Sequence, residues 1–421
     1  MSGRTRTWAA LTLAGAMFAA VGAAAADAPR PKRLIVTFKA GTTQAQRAQD
    51  ARALGLTLRD DLGDIGVAVL ERDSPFSAQD VASADALPGV AGVEEDVYRN
   101  WLLDAPASFS ALPAPDADAA LKTLAPALAR ARASAAQDSA LARSSRTIPW
   151  GVARVDAPAA WSSGEGAGIK VAVIDTGIDC THPDLQCDFS SGMNIVSPGA
   201  DPMDDNEHGT HVSGTIAGRG EGGGVYGVAP QATLIPVKVL NAQGEGSLSD
   251  IIAGIDWAVK AGVDVINMSL GGAAQSPALK RAVEGALAHG VVVVCAAGNS
   301  GPAADTVGYP AGYPGVIAVA AADRNDDAAD FSSRGPQVAF IAPGVDITST
   351  VPGGGYAKLS GTSMASPHVA GLAALALERG ARGPAGVRAA FKAAAASLCG
   401  ANGCASADAQ GHGLIDAARL R

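Results

Sequence analysis

Three short segments of the chain carry residues that can perform nucleophilic catalysis. Val171–Gly177 brings the carboxylate of Asp175 to the end of an apolar run. His208–Gly214 begins with an imidazole, and Gly361–Pro367 contains the hydroxyl of Ser363. A serine hydroxyl is a weak nucleophile at neutral pH, so it needs a base beside it and a third group that orients the base. The three residue types therefore predict acyl transfer through a covalent serine intermediate.

Each of these residues also has an ordinary structural explanation. Asp175 can stabilise a turn at a strand end, His208 can belong to a loop, and Ser363 can cap a helix. Their occurrence together, in the order Asp, His, Ser, favours a catalytic set over coincidence. Lipases and esterases place the serine in a Gly-x-Ser-x-Gly turn ahead of the acid and the histidine, whereas here the serine comes last.

The elements that must position these residues are short apolar runs alternating with helical stretches. Such runs are typical of strands covered on both faces. The predicted strands are Ile169–Ile174, Thr233–Val239, Val263–Met268, Val291–Ala296 and Val316–Ala321, with helices at Leu248–Ala261 and Pro277–His289. This alternation predicts an α/β fold, a doubly wound and mostly parallel sheet with helices on both faces. Active sites of such sheets lie at the carboxyl ends of the strands.

The three segments closely resemble the active-site signatures of the subtilisin-like serine proteases, and the resemblance extends from about Ile148 to Leu420. It implies that His208 takes the proton of Ser363 and that Asp175 orients the imidazole. It also implies an oxyanion hole, in which the side-chain amide of Asn299 and the backbone N–H of Ser363 stabilise the tetrahedral intermediate.

The same resemblance predicts the substrate cleft. Ser269, Leu270 and Gly271 form one wall, whose backbone pairs with an extended substrate. Ala296 to Gly298 form the other side of the main specificity pocket, and Gly308 forms its floor. Because a glycine leaves the floor open, the resemblance implies a broad specificity with a preference for large apolar or aromatic residues before the cut.

The N-terminal part divides into three predicted segments. Residues 1–26 have a basic start and an apolar run that ends in Ala24-Ala25-Ala26, as in a cleaved signal peptide; an uncleaved membrane anchor is the competing interpretation. Residues 27–103 form a small α+β domain that resembles the inhibitory propeptide of the family. Residues 104–146 are an Ala- and Pro-rich linker, and 147–421 are the peptidase domain.

The elements expected in the propeptide domain are the strands Arg33–Phe38 and Ile65–Leu70, a final strand within Val90–Trp101, and the helices Thr43–Leu54 and Ala78–Ala86. The maturation cut has two candidate positions, near Trp101 to Asp104 or near Arg146. We favour the later position, because Ile148-Pro149-Trp150-Gly151 looks like a mature N-terminus of the family.

The five cysteines fit an exported protein. Cys180 with Cys187, and Cys399 with Cys404, are close enough in the sequence to form two local disulfides. Cys295 lies in an apolar run and is predicted to be a buried free thiol.

Metal and cofactor requirements are limited. Asp184 matches a carboxylate that binds structural calcium in relatives, but Glu221 and Arg146 depart from the family's ligand pattern. A metal pair formed by His208 and His211 lacks a partner carboxylate motif. No organic cofactor is expected. The net charge of −9 and the absence of a basic stripe argue against a nucleic-acid partner.

The sequence therefore predicts a secreted serine endopeptidase, extracellular or periplasmic, that is synthesised as a self-processing zymogen. Its partners are protein and peptide substrates and its own propeptide as an intramolecular inhibitor. We expect a monomer with no membrane association after signal removal. The alternative is a catalytically inactive homologue that binds peptides, against which the presence of the whole triad and of Asn299 argues.

Overall fold

The computed structural model describes residues 32–102 and 147–420. We call these the N-terminal unit and the C-terminal unit. The predicted signal peptide, the linker 104–146 and residue Arg146, with its expected effects on calcium binding and maturation, lie outside the described residues.

The N-terminal unit is an antiparallel sheet with two helices. Its strands are β1 (Lys32–Phe38), β2 (Thr57–Leu62), β3 (Val67–Arg72), β4 (Val90–Glu95) and β5 (Tyr98–Asn100), and its helices are α1 (Gln44–Ala53) and α2 (Ala78–Asp85). The sheet has the order β2-β3-β1-β4. Helix α2 begins with a capping box, in which Ser77 and Asp80 each accept a hydrogen bond from the other's backbone N–H.

Three features of this unit differ from the sequence prediction. The polar strand β2 had no alternating pattern to reveal it, and it forms because its backbone pairs with β3. The region Val90–Trp101, where one strand was expected, contains two: β4 belongs to the small sheet, and β5 pairs with a strand of the C-terminal unit. The predicted strand at Ile65 starts only at Val67, since Gly63–Ile65 is a single 3₁₀ turn.

The C-terminal unit contains the larger sheet. Its strands are β6 (Lys170–Asp175), β7 (Met193–Asn194), β8 (Thr233–Lys238), β9 (Glu245–Ser247), β10 (Val265–Met268), β11 (Val292–Ala296), β12 (Ile317–Ala322), β13 (Val338–Pro343), β14 (Ile347–Val351), β15 (Gly355–Leu359), β16 (Ala395–Ala396), β17 (Cys399–Gly400), β18 (Gly403–Cys404) and β19 (Leu414–Ile415). Its helices are α3 (Trp150–Arg154), α4 (Ala157–Ala160), α5 (His208–Ala217), α6 (Leu248–Lys260), α7 (Pro277–Ala288), α8 (Thr362–Glu378), α9 (Gly383–Ala394) and α10 (Ala407–Gln410).

The large sheet has the order β16-β19-β13-β12-β11-β10-β6-β8-β7, and all of its pairings are parallel except that of β16 with β19. Its central strands are buried on both faces, with one apolar cluster under α5 and α8 and another under α6 and α7. The five predicted strands and both predicted helices are present, with ends shifted by one or two residues. The predicted doubly wound α/β fold is confirmed.

The two units are joined by a strand pair. Strand β5 of the N-terminal unit lies antiparallel to β9 of the C-terminal unit, and Arg99 is directly opposite Gly246. The last described residues of the N-terminal unit, Trp101 and Leu102, continue from β5 toward the carboxyl end of the large sheet. The N-terminal unit therefore ends at the edge where the predicted catalytic residues lie.

Candidate active site

Asp175 is the last residue of β6, and it is completely buried. Its Oδ1 accepts hydrogen bonds from the backbone N–H of Thr176 at 2.7 Å and from Nδ1 of His208 at 2.8 Å, and its Oδ2 lies 3.0 Å from the same nitrogen. A carboxylate in this position favours the tautomer with the proton on Nδ1, which leaves Nε2 of His208 free to accept a proton.

His208 is the first residue of helix α5, and burial and the charges of three carboxylates act on its ring. Burial disfavours the imidazolium and alone would lower its pKa, but the negative charges of Asp175, Asp204 and Glu207 raise it further than burial lowers it. The pKa of His208 therefore lies above its ordinary value of 6.5.

The turn after β6 and the start of α5 touch at two glycines. Gly177 has φ of +106°, and a Cβ there would lie 2.6 Å from the carbonyl oxygen of Pro202. A Cβ on Gly209 would collide with the carbonyl oxygen of Gly177. The glycines in the two catalytic motifs thus allow the Asp175 turn and the His208 helix to approach closely enough for their hydrogen bond.

Ser363 lies in the first turn of helix α8. Its Oγ donates to the backbone carbonyl of Ser269 at 3.0 Å, and Oγ of Ser269 donates to the carbonyl of Ser363 at 2.8 Å. Among the described residues, no hydrogen bond joins Oγ of Ser363 to His208. Transfer of the predicted nucleophile's proton to His208 would require the Ser363 hydroxyl first to rotate away from Ser269.

Asn299 lies just beyond β11, next to the start of α8. Its Oδ1 accepts from the backbone N–H of Thr362 at 2.9 Å and from Oγ1 of Thr362 at 3.1 Å, which assigns Nδ2 as the end free to donate. A Cβ built on Gly361 would lie 3.6 Å from Nδ2 of Asn299 and 3.6 Å from the backbone N of Ser363. Both predicted oxyanion donors therefore border the same small space.

An open cavity adjoins Ser363. The predicted pocket residues that line it are Leu270, Gly271, Ala296, Gly298 and Gly308, together with Asn299. Ser269, the remaining predicted wall residue, is buried behind the cavity and holds Ser363 through the two bonds described above. A Cβ on Gly308 would lie 3.1 Å from the carbonyl oxygen of Gly272, so a side chain there would narrow the pocket.

The end of the N-terminal unit occupies the cleft beside this cavity. The backbone N–H of Trp101 donates to the carbonyl of Gly244 at 3.0 Å, and Gly271 N–H donates to the carbonyl of Trp101 at 3.3 Å. Leu102 lines the cavity. The segment therefore lies between β9 and the predicted wall at Gly271, with the backbone pairing that an extended peptide uses.

The β9 wall of the cleft was not predicted from the sequence. The sequence feature that could have indicated it is the pair of glycines around Glu245, since Gly244 and Gly246 expose the backbone on which the end of the N-terminal unit lies. The indole of Trp101 donates to the carbonyl of Gly246 at 2.9 Å, and the guanidinium of Arg99 lies 3.9 Å from the centre of that ring.

Two further buried charges brace the site and were also missed. Asp204 accepts from Oγ1 of Thr176 at 2.8 Å and from the N–H and Oγ1 of Thr210 at 2.9 and 2.6 Å, which ties the Asp175 turn to helix α5. Lys238, opposite Asp175 on β8, donates to the carbonyl of Thr176 at 2.6 Å. Asp204 could have been suspected from the sequence, because it is an acid four residues before His208. Nothing in the sequence marks Lys238 as part of the site.

The remaining histidines in the core have structural roles. His211 bonds through Nε2 to the carbonyl of Ile347 at 2.9 Å, and burial lowers its pKa to about 3. Burial also lowers the pKa of His368, to about 4. Both rings are therefore neutral at physiological pH. Across the described ranges 32–102 and 147–420, no group of three or more His, Cys, Asp or Glu residues could hold a metal ion.

The cysteines pair as their spacing suggested. Cys180 is bonded to Cys187, and Cys399 to Cys404. Cys295 is a buried free thiol in β11, and burial raises its pKa, so it is a poor nucleophile.

Asp184, the expected calcium ligand, is completely buried inside the loop that the Cys180–Cys187 disulfide closes. Its Oδ2 accepts from the backbone N–H of Val225 at 2.7 Å and from the hydroxyl of Tyr356 at 2.9 Å. Its Oδ1 has no hydrogen-bond partner among the described residues. A buried carboxylate oxygen without a donor fits a calcium ligand, whereas Glu221 is exposed. Calcium binding at Asp184 therefore stays a prediction.

None of the helices in residues 32–102 and 147–420 has both the length and the apolar composition needed to cross a bilayer.

Comparison with known proteins identifies relatives of the C-terminal unit. Residues 166–413 match the family described as the subtilase family. The chain is 50% identical over 237 residues to subtilisin DY of Bacillus licheniformis, covering 56% of this chain and 86% of that protein. It is 50% identical over 238 residues to subtilisin E of Bacillus subtilis (strain 168), covering 56% and 62%, and 48% identical over 244 residues to M-protease of Shouchella clausii (strain KSM-K16), covering 58% and 63%. The chain thus spans a little under two thirds of the last two proteins.

Proposed function

This chain belongs to the subtilase family of serine endopeptidases, and from that premise we propose that it cuts peptide bonds with Ser363, His208 and Asp175 after removing its own N-terminal unit. The observation that carries the proposal is the bond of His208 to buried Asp175, two residues whose motifs also predicted this pairing. Three distant parts of the chain supply these residues, and Asp175 ends β6 at the carboxyl edge of the large sheet, where active sites of parallel sheets lie.

The proposed reaction begins when the Ser363 hydroxyl turns from Ser269 toward Nε2 of His208. As Oγ bonds to the substrate carbonyl carbon, its proton passes to Nε2, and Asp175 stabilises the resulting imidazolium. The C–N bond then breaks, and Nε2 returns the proton to the leaving amine. Water, deprotonated by the same nitrogen, hydrolyses the acyl-enzyme and regenerates Ser363.

The proposed oxyanion hole consists of Nδ2 of Asn299 and the backbone N–H of Ser363. Support comes from the orientation of Asn299, whose Oδ1 is held by Thr362 so that Nδ2 faces the space both donors border. Donors fixed before the reaction stabilise the developing charge without reorganising. The position of Ser363 in the first turn of α8 adds the positive end of the helix dipole.

We propose a preference for large apolar or aromatic residues before the cut. The cavity beside Ser363 supports this, because it is bounded by the backbone and small side chains of Ala296, Gly298 and Gly308. No charged side chain is among the described residues that line it. The preference is therefore set by size and apolar contact rather than by an ion pair.

We propose that the N-terminal unit is an inhibitory propeptide and that the first self-cut falls just after Leu102. Residues 98–102 already lie in the cleft as a substrate would, and Leu102 borders the cavity beside Ser363. This support favours the earlier of the two cut positions over the one near Arg146 that the sequence suggested. A second cut, nearer residue 147, would then remove the linker.

The decisive experiment compares the full-length chain with its Ser363→Ala variant. Precursor length is followed by mass spectrometry, and activity is assayed on casein and on a peptide with Phe before the scissile bond. We expect self-shortening after Leu102 and cleavage of both substrates by the unmodified chain, and neither by the variant. Equal behaviour of the two proteins would remove Ser363 from the mechanism and favour a peptide-binding scaffold.

Export and assembly state are part of the same proposal. We propose a secreted monomer that acts on proteins and peptides outside the cytoplasm. Fractionation of producing cells and light scattering of the matured protein test these two points. Accumulation in the cytoplasmic fraction, or a mass twice that of the mature chain, would contradict them.

A further inference from the structure

Charged side chains of the two units meet at the start of helix α6. The N-terminal unit contributes Arg33 from β1 and Arg59 from β2, and the C-terminal unit contributes Asp250 from the first turn of α6. We propose that Asp250 is the recognition residue for the N-terminal unit, and that its contact with the two guanidinium groups sets how long the cut unit stays bound. This inference rests on the proposed role of the unit as an inhibitor.

One carboxylate oxygen of Asp250 lies within ion-pair distance of both guanidinium groups. Its Oδ1 lies 3.8 Å from Nη1 of Arg33 and 3.6 Å from Nη1 of Arg59. The side chains of Asp250, Arg33 and Arg59 are only 12%, 18% and 23% exposed. The ion pairs are therefore largely shielded from water. Removing one partner of a shielded pair costs more than removing one partner of a pair on an open surface, because the remaining charge is left without compensation.

The N-terminal unit supplies its own carboxylates to the same cluster. Glu71 lies 3.6 Å and Asp96 3.7 Å from Arg33, and Asp60 lies 3.5 Å from Arg59. Among the described residues, Asp250 is the one carboxylate that reaches the two arginines from the C-terminal unit. The two arginines thus remain neutralised when the unit leaves, whereas Asp250 loses both cations.

The surroundings of Asp250 agree with its dependence on the two arginines of the N-terminal unit. Burial raises the pKa of Asp250, and the charges of Arg59 and Arg33 counteract the rise. Among the described residues, these two arginines are its only ion-pair partners. Docking of the N-terminal unit covers the carboxylate and supplies two cations that offset part of the cost of its burial, and it also brings the charge of Asp96, which raises the pKa of Asp250.

A role confined to its own helix is the alternative for Asp250. It is the third residue of α6, and its carboxylate is placed to accept from the backbone N–H of Ser247, the N-cap residue, whose own side chain makes no cap bond in return. Asp96 makes a parallel contact across the interface, accepting from the N–H and Oγ of Ser249 at 2.8 and 2.6 Å. Asp250→Asn separates the two roles, because it removes the charge but keeps an oxygen for Ser247.

The test uses the full-length chain and measures the delay between the first cut, seen by mass spectrometry, and the appearance of activity. We expect Asp250→Asn to leave the rate of the first cut unchanged and to shorten the delay about tenfold, as for loss of a shielded ion pair. Asp326→Asn is the matched control, because Asp326 pairs with Arg154 inside the C-terminal unit and should leave the delay unchanged.

A double-mutant cycle identifies the partners. The variant with Arg33→Met and Arg59→Met should shorten the delay as Asp250→Asn does, and the triple variant should show little further change, because the same contact is lost. Fully additive effects, or an unchanged delay for Asp250→Asn, would overturn the proposal. So would a loss of stability of the matured Asp250→Asn enzyme large enough to indicate a capping role alone.

A second readout does not depend on self-cutting. In the Ser363→Ala precursor, adding Asp250→Asn should speed hydrogen exchange of the amides in β5 and β9, which protect one another only while the units are docked. Unchanged exchange would refute the ionic contact. Failure of the unmodified chain to cut itself, with faster exchange in the Asp250→Asn precursor, would instead refute the proposed maturation and leave the contact standing.

Discussion

The two units of the chain bury their apolar residues in different ways. The C-terminal unit encloses a cluster of its own side chains between the large sheet and helices α5 and α8. The N-terminal unit has a much smaller cluster of its own, built on Leu34, Val36 and Phe38 of β1 with their neighbours. Ile35, which alternates with them, belongs to the cluster under α6 and α7 of the C-terminal unit.

This difference shows that the small sheet has two apolar faces and can cover only one by itself. Its other face, with Ile35 and Val67, is buried against the C-terminal unit. Small domains bury too little surface to be more than marginally stable. The N-terminal unit therefore depends on the C-terminal unit to cover its second face, whereas the cluster under α5 and α8 contains no described residue of the N-terminal unit. This difference fits the proposed role of the N-terminal unit as an inhibitor that is removed.

The largest expected effect tests this asymmetry with one substitution in each core. Phe340 is fully buried and packs edge-on against Phe391, with ring centres 5.6 Å apart. Phe340→Ala should lower the free energy of unfolding of the matured enzyme by roughly 3–5 kcal/mol, from lost contacts and the cavity left behind. Phe38→Ala, equally buried in the N-terminal unit, should leave that quantity unchanged and lower the yield of matured enzyme.

Denaturant unfolding of the matured proteins, with a serine-reactive inhibitor bound to prevent self-digestion, measures both effects. The yield is read from the ratio of matured to precursor chain. A matured Phe38→Ala enzyme that is less stable than the unmodified one would show that the units remain coupled after the cut. The stability of the C-terminal unit would then not be independent of the N-terminal unit.

A somewhat smaller effect tests whether the chemistry belongs to the C-terminal unit alone. Asn299→Ala removes one proposed oxyanion donor, and the same change in subtilisin itself costs roughly 100- to 1,000-fold in kcat. We expect a loss of that size here, with KM nearly unchanged, because the amide stabilises the transition state rather than the bound substrate. Steady-state kinetics on the Phe peptide measure it.

Docking of the N-terminal unit provides the control for Asn299→Ala. In the Ser363→Ala precursor, the added Asn299→Ala change should leave hydrogen exchange in β5 and β9 unaltered. Faster exchange there would mean that Asn299 also helps to hold the N-terminal unit. The oxyanion hole would then serve docking as well as catalysis.

The smallest expected effect concerns pH. Activity requires neutral His208, whose pKa is raised above 6.5 by nearby carboxylates, including Glu207. Activity should therefore fall as the pH decreases through this raised pKa. Glu207→Gln removes one of the charges, lowers the pKa of His208 and moves the acid limb of kcat/KM to lower pH. The shift should be modest, since Glu207 is partly exposed and its charge is screened.

The pH profile of kcat/KM for the matured enzyme, recorded at two salt concentrations, measures this shift. Glu245→Gln is the matched control, because Glu245 lies on β9 and is absent from the charges that act on His208. An acid limb that stays in place in Glu207→Gln would show that Asp175 and Asp204 alone set the pKa.

Much of the fold could be predicted because the buried strands are nearly uninterrupted apolar runs. Strands β6, β8, β10, β11 and β12 were all expected within one or two residues of their ends. Strand β2 could not be predicted, because its six residues TLRDDL are mostly polar and become a strand only through pairing with β3. The hairpin of β14 and β15 escaped prediction for a related reason, since each strand's main backbone partner is the other.

The sequence by itself determined which side chains could carry out the chemistry, since Asp175, His208, Ser363 and Asn299 are marked by their motifs. Only the tertiary structure decided that Ser363 donates to Ser269 rather than to His208, and that β9 is the second wall of the cleft. Motifs record which residue types are present along the chain. Hydrogen bonds, shielding of charges and the docking of one unit on another depend on groups far apart in sequence, whose distances only the folded chain sets.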